Sequence, residues 1–121
     1  MINIISVLSF KLNKNNSNII AKNNIAYSKI FDKILFEIDE FKYYLLINKQ
    51  YIEFHRENND YYFNLKIGKA NTCELYLKKE NLSLPIDIEY ISNERIKDGI
   101  IIKYRLATED DINEVVIEGI K

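Results

Sequence analysis

The chain predicts an all-β fold, an antiparallel barrel of about eight to ten short strands, and three observations carry that expectation. Apolar residues recur at every second position over most of the chain, the period of a strand with one buried face. The segments between these runs are short and rich in Asn, a residue that tolerates tight turns. Ile, Tyr and Phe are plentiful while Ala is scarce, which favours a pleated surface over a helical one.

The clearest block is residues 43–67, read as three successive strands, 43–48, 51–56 and 61–67. Asn48-Lys49-Gln50 and Asn58-Asn59-Asp60 connect them as hairpins. In the third strand Tyr61, Phe63, Leu65 and Ile67 share a face opposed by Tyr62, Asn64 and Lys66. Upstream, Ile2, Ile4, Leu8 and Phe10 fall on one face of a first strand, with Ile5 and Val7 on the other. Residues 13–18 are polar and turn-forming, and short strands at 18–22 and 25–28 flank a turn at Asn23-Asn24.

Residues 30–41 are ambiguous. Ile30, Phe31, Ile34, Leu35, Ile38 and Phe41 match a helical stripe, but Ile34, Phe36 and Ile38 also alternate, and strands on either side favour a strand here. Downstream, Cys73, Leu75 and Leu77 alternate, and Leu82, Leu84, Ile86, Ile88 and Tyr90 form the longest clean alternation. Pro85 interrupts it and cannot donate to a ladder, so it marks a bulge, a bend or an edge. A turn at 93–99, a strand with Ile100, Ile102, Tyr104 and Leu106 inward, a turn at 108–111 and a last strand at 112–119 complete the chain. Closure into a barrel is expected because it alone removes both sheet edges.

At 121 residues the chain suits one domain, residues 1–121. Its net charge of −1 lacks the basic field of a general nucleic-acid binder, and no polybasic segment addresses an anionic membrane. Cys73 is the single cysteine, so no internal disulfide or thiolate metal cluster forms, which fits a reducing cytoplasm. The apolar first ten residues lack a basic flank and a small-residue cleavage site, so no signal peptide is expected. No run reaches the ~18 apolar residues of a spanning helix.

From about Ile52 onward the chain resembles the YwiB-like family, small bacterial proteins with a domain of unknown function. The likeness is carried by Ile52-Glu53-Phe54-His55-Arg56, by Thr72-Cys73-Glu74-Leu75-Tyr76-Leu77, by residues 84–90, and by Ile100-Ile101-Ile102-Lys103-Tyr104-Arg105-Leu106. The family's apolar–x–arginine–x–glycine element matches at Phe54 and Arg56, with Asn58 where the glycine is usual, and Cys73 replaces another glycine. The resemblance implies a calycin-like β-barrel, the superfold of lipocalins and fatty-acid-binding proteins. It implies no reaction.

Arg56 is the first candidate site residue. Parity places it inward with Ile52 and Phe54, where a guanidinium must find partners. It serves either as a fork for a ligand carboxylate or, more simply, as a plug bonded to loop carbonyls or a carboxylate. Tyr61 and Tyr90, on apolar faces with Phe63 and Leu84, are candidates to line a ligand cavity. Tyr43, Tyr44, Tyr51, Tyr62 and Tyr76 are candidates for an exposed aromatic patch that meets a partner or a second copy.

His55, the single histidine, falls on the opposite face beside Glu53, a pair able to shuttle a proton but poor as a metal site; a solvent-facing histidine is the expectation. Cys73 reads as a small buried hydrophobe rather than a nucleophile, and Glu109-Asp110-Asp111 as a solvated turn rather than a calcium loop. RNA binding through aromatic strands has Lys66, Lys78, Lys103 and Arg105 to draw on, which the near-neutral charge disfavours.

The leading expectation is therefore a cytoplasmic bacterial protein binding a small apolar or carboxylate-bearing ligand inside the barrel. The alternative is a protein-interaction or homodimerisation module. No catalytic residue, cofactor or metal is expected, and neither is a nucleic-acid or membrane partner.

Overall fold

The computed structural model describes residues 6–120, so the faces assigned to Ile2, Ile4 and Ile5 lie outside the described residues. Among the described residues the fold is all-β, with eleven strands. These are β1 (Val7–Lys14), β2 (Ser17–Ile30), β3 (Lys33–Ile38), β4 (Phe41–Ile47), β5 (Ile52–Glu57) and β6 (Tyr61–Ile67). They continue as β7 (Thr72–Leu77), β8 (Leu82–Pro85), β9 (Ile88–Ile96), β10 (Gly99–Leu106) and β11 (Asn113–Glu118). The chain divides into two compact units, one of residues 1–27 and 89–121, the other of residues 28–88. Among the described residues no helix is long and apolar enough to cross a membrane.

In the first unit the strand order is β2-β1-β11-β10-β9. Its central feature is the antiparallel pairing of the first and last strands, Phe10 opposite Ile117 and Leu12 opposite Val115. Leu8, Phe10, Ile100, Ile102, Tyr104, Leu106, Val115 and Ile117 are buried, the alternating sets of β1, β10 and β11. Asn15 and Asn16 both adopt positive φ and close β1 onto β2 in a two-residue turn, the conformation that a hairpin of this length demands. The turn expected at Asn23-Asn24 is instead a bulge inside β2. Leu8 pairs with Ile25 but Phe10 pairs with Lys22, leaving one extra residue on β2, and Asn24 (φ 59) absorbs it.

In the second unit the order is the simple meander β3-β4-β5-β6-β7-β8. Residues 33–38 form a strand, with Ile34, Phe36 and Ile38 buried and their neighbours exposed, so the two-residue period prevails over the helical one. Both short connections, after β4 and after β5, are built by one asparagine each. Asn48 Oδ1 accepts from the backbone N–H of Gln50 and Tyr51, and Asn58 Oδ1 from those of Asp60 and Tyr61. The side chain thus satisfies amides that the ladder leaves unpaired. The resulting register aligns Leu45, Phe54 and Leu65 on one face and Tyr44, His55 and Asn64 on the other.

Two readings of the chain need correction. Residues 82–90 do not form one long strand: the run breaks after Pro85 into β8 and β9. β8 is terminal in its unit's order, Leu82 and Leu84 are exposed, and Pro85 sits where its missing N–H costs no ladder bond. Residues 93–96, expected as a turn, extend β9, and only Lys97-Asp98 turns.

Among the described residues Phe31 is the one large apolar side chain held at positive φ (55°), and it is 91% exposed at the tip between β2 and β3. A side chain there meets its own carbonyl, a strain that asparagine tolerates and phenylalanine does not. Phe31→Asn is expected to raise the unfolding free energy by roughly 0.5–1 kcal/mol, read by urea denaturation.

Candidate functional site

Two polar constellations occupy opposite faces of the β4–β5–β6 sheet. The first centres on Arg56, which parity places with Ile52 and Phe54 as expected; both of those are buried, while Arg56 at the strand end is half-buried. Arg56 pairs across the ladders with Tyr43 and Phe63, so Phe41 and Tyr61, two residues earlier on their strands, flank it. Its Nε donates to Tyr43 Oη at 3.1 Å and its Nη1 to Tyr61 Oη at 3.3 Å. The guanidinium carbon lies 3.8 Å from the centre of the Phe41 ring, a close cation–π stack. Phe41 and Tyr43 in turn pack against each other, and Tyr43 stacks on Phe36 with ring centres 5.0 Å apart.

The expected partners of a structural plug, loop carbonyls or a carboxylate, are not what holds this arginine. Two phenol oxygens and a ring do, and among the described residues no carboxylate lies within 4 Å of the guanidinium. A guanidinium carries five N–H donors, so donors remain after the two tyrosines are served. Burial pushes the Tyr43 phenol up, and the neighbouring Arg56 charge opposes that shift without cancelling it. Tyr43 therefore stays a neutral hydroxyl that accepts from Arg56.

The structure brings Arg56 and Tyr61 together as one site. Tyr90, the third candidate, belongs to the other unit, on β9, where it is 46% exposed and donates to Ser92 Oγ. It does not sit on a buried apolar face, because the alternation that placed it there is broken at Pro85. Tyr43 likewise is not part of an exposed aromatic patch: it is 2% exposed.

The second constellation is on the other face of β5. His55, expected in solvent, has a side chain only 15% exposed. Tyr44, directly opposite on β4, lies against it with ring centres 4.5 Å apart, and Tyr62 of β6 meets it edge-on at 5.1 Å. His55 Nε2 bonds to Glu53 Oε2 at 3.2 Å, and Tyr62 Oη bonds to His55 Nδ1. A carboxylate accepts only, so the neutral ring carries its proton on Nε2 and Nδ1 accepts from Tyr62. The result is a continuous chain, Tyr62 to His55 to Glu53, extended by Lys66, whose Nζ is 3.8 Å from Glu53 Oε1. Among the described residues no group of three or more His, Cys, Asp or Glu side chains comes together as a metal set.

Burial lowers the His55 pKa below 6.5, outweighing Glu53 and Glu57, which raise it. The unfolded chain then takes up a proton near pH 6.5 that the folded chain resists. Stability is expected to fall as pH drops through 6.5 toward the lower folded value, and His55→Gln should remove that slope in urea titrations. Tyr62 shifts the other way: burial first, then Glu53 and Glu57, push it up to about 12. It remains a proton donor through the neutral range.

Cys73 is buried on the apolar face, paired with Leu65, whereas His55 pairs with Asn64 on the opposite face, so the two do not form a nucleophile and its base. The four basic residues available for RNA are each tied to a carboxylate: Lys66 to Glu53, Lys78 to Glu57, Lys103 to Glu114 and Arg105 to Glu89. The acidic turn is anchored rather than free: Asn15 Nδ2 donates to Asp111 at 2.5 Å, Asn113 Nδ2 to Glu109 at 2.6 Å, and Lys14 lies within 3.6 Å of both carboxylates.

The fold and sites define an all-β antiparallel protein with a phenol-bound arginine on one face and a tyrosine–histidine–glutamate chain on the other. Comparison with protein-family models, curated proteins and solved structures finds no match.

Proposed function

We propose that this chain is a YwiB-like protein of calycin type that binds a small carboxylate-bearing ligand, with Arg56 as the receptor for the carboxylate. The observation that carries the reading is a half-buried guanidinium that stands 3.8 Å over the Phe41 ring, is oriented by Tyr43 and Tyr61, and has no carboxylate partner among the described residues. A positive charge partly withdrawn from water and left without an anion is favourably completed by one. The aromatic rings around it offer the apolar surface that a ligand's hydrocarbon portion needs.

A thermal-shift screen with fatty acids and other amphiphilic carboxylates tests this. A ligand at about 100 times its Kd adds ~2.7 kcal/mol to the unfolding free energy. The wild-type melting point is expected to rise and Arg56→Gln to lose that rise. An unmoved melting point across the panel, or an equal rise in the variant, contradicts the reading.

A second reading, a protein-interaction or homodimerisation module, is favoured by one observation: Phe31 at 91% and Ile30 at 54% exposure form an apolar tip on the β2–β3 connection. Val7 is also exposed, while Ile101 is half-buried. Light scattering over a concentration series, with Phe31→Ser beside the wild type, separates the two. Association that disappears in the variant supports the module, and a monomer throughout excludes the homodimer.

A further inference from the structure

At the end of the second unit where β4 turns into β5 and β6 into β7, a cleft of about 560 Å³ opens on the face that carries His55. Gln50, Tyr51, Lys66, Gly68, Lys69 and Thr72 line it. Its walls are held by side-chain caps on both turns. Asn48 Oδ1 takes the N–H groups of Gln50 and Tyr51, and Asn71 Oδ1 takes that of Gly68. Gly68 also lets the two turns approach: a Cβ there would stand 3.2 Å from that of Tyr51.

The charge in this cleft is one-sided. Its lining residues include two lysines, Thr72, Gln50 and Tyr51 beside Gly68 and Ala70, and no Asp or Glu is among them. Lys69 is exposed and makes no ion pair among the described residues. Lys66 sits over the Tyr51 ring at 4.6 Å and reaches Glu53 only at 3.8 Å, with 42% of its side chain exposed. That is a loose surface pair, which contributes little and yields readily to a better anion. By contrast Lys78, at the other end of the same sheet, is held at 2.6 Å by Glu57.

We propose that this cleft binds a small oxyanion of the phosphate class, either inorganic phosphate or the phosphoryl group of a small phosphomonoester. Lys66 and Lys69 supply the charge, and the Thr72 hydroxyl and Gln50 amide supply directional donors. Binding draws Lys66 from Glu53 and leaves that carboxylate to His55 alone, so the histidine ring reports on occupancy. The site is on the opposite face of β5 from Arg56, and it stands or falls separately from the carboxylate reading.

The test is an NMR titration of the full chain with inorganic phosphate, and separately with a simple phosphomonoester, at constant ionic strength. The amides of Gly68, Lys69 and Thr72 and the His55 ring signals are followed together. Saturable shifts at all of these, weakened at least tenfold in Lys66→Gln/Lys69→Gln and unchanged in Arg56→Gln, are expected. Tighter binding of the phosphomonoester assigns the site to a phosphorylated small molecule, and equal or weaker binding assigns it to free phosphate. Shifts that chloride reproduces, shifts that never saturate, or equal affinity in a folded double-lysine variant overturn the proposal.

Discussion

Gly99→Ala is expected to destabilise the protein by ~3 kcal/mol or more, among the larger effects a single methyl can have. Gly99 opens β10 opposite Glu118, and a Cβ built on it would lie 1.8 Å from the carbonyl oxygen of Ile117. That atom is backbone and cannot rotate away, so β11 must shift. The shift propagates, because β11 is also the partner of β1. Its residues Val115 and Ile117 are fully buried between those two ladders. Differential scanning calorimetry reads the result as a fall in melting temperature of about 10 °C for a chain of this size. The same change at Gly68, where the nearest atom is a side-chain carbon at 3.2 Å, is expected to cost far less.

Phe54→Ala is expected to cost about 3–5 kcal/mol, the range for removing a buried aromatic ring. Phe54 is 1% exposed, flanked on its face by Leu45 and Leu65, with its ring 6.1 Å from that of Tyr43. The cavity left behind would loosen Tyr43, whose hydroxyl holds Arg56 Nε. Chemical denaturation gives the stability loss. Phe63→Ala, at a half-buried position of the next strand, is expected to lose less because its ring already meets water on one side. Phe54 and Ile102 are fully buried, whereas Phe63 and Ile86, on equally regular alternations, are only half-buried.

What could be read from the residues alone follows from the range of the interactions involved. Alternation is local, so β4, β5, β6 and β10 stand within a residue or two of their expected bounds, with their inward sets mostly as assigned. The two asparagine-capped hairpins are local as well, and once their length is known the register follows. Arg56 beside Tyr61 was legible for that reason: parity puts both on one face, and the short connection puts them at one end of the sheet.

The failures arise where a distant partner decides. His55 was assigned to water because its own strand offers only Tyr51 and Glu53 on that face. Tyr44 and Tyr62, arriving from the strands on either side, cover it. The signal was present in the equal turn lengths, which bring Tyr44 opposite His55 and Tyr62 within bonding reach. Tyr90 was misassigned by a single residue upstream: Pro85 ends β8, and β9 starts a new pattern in which Tyr90 faces outward. Nothing local announces that β1 pairs with β11, a contact between residues more than 90 positions apart.

The Arg56 guanidinium carries the carboxylate reading, and its Nε–H resonance reports on it most directly. In a titration of the folded protein with a medium-chain fatty acid, that resonance is expected to move saturably downfield as a carboxylate joins the two tyrosine hydroxyls. A resonance that stays still while the acid binds elsewhere, or an acid that does not bind at all, would show that Tyr43, Tyr61 and Phe41 complete the arginine's surroundings by themselves.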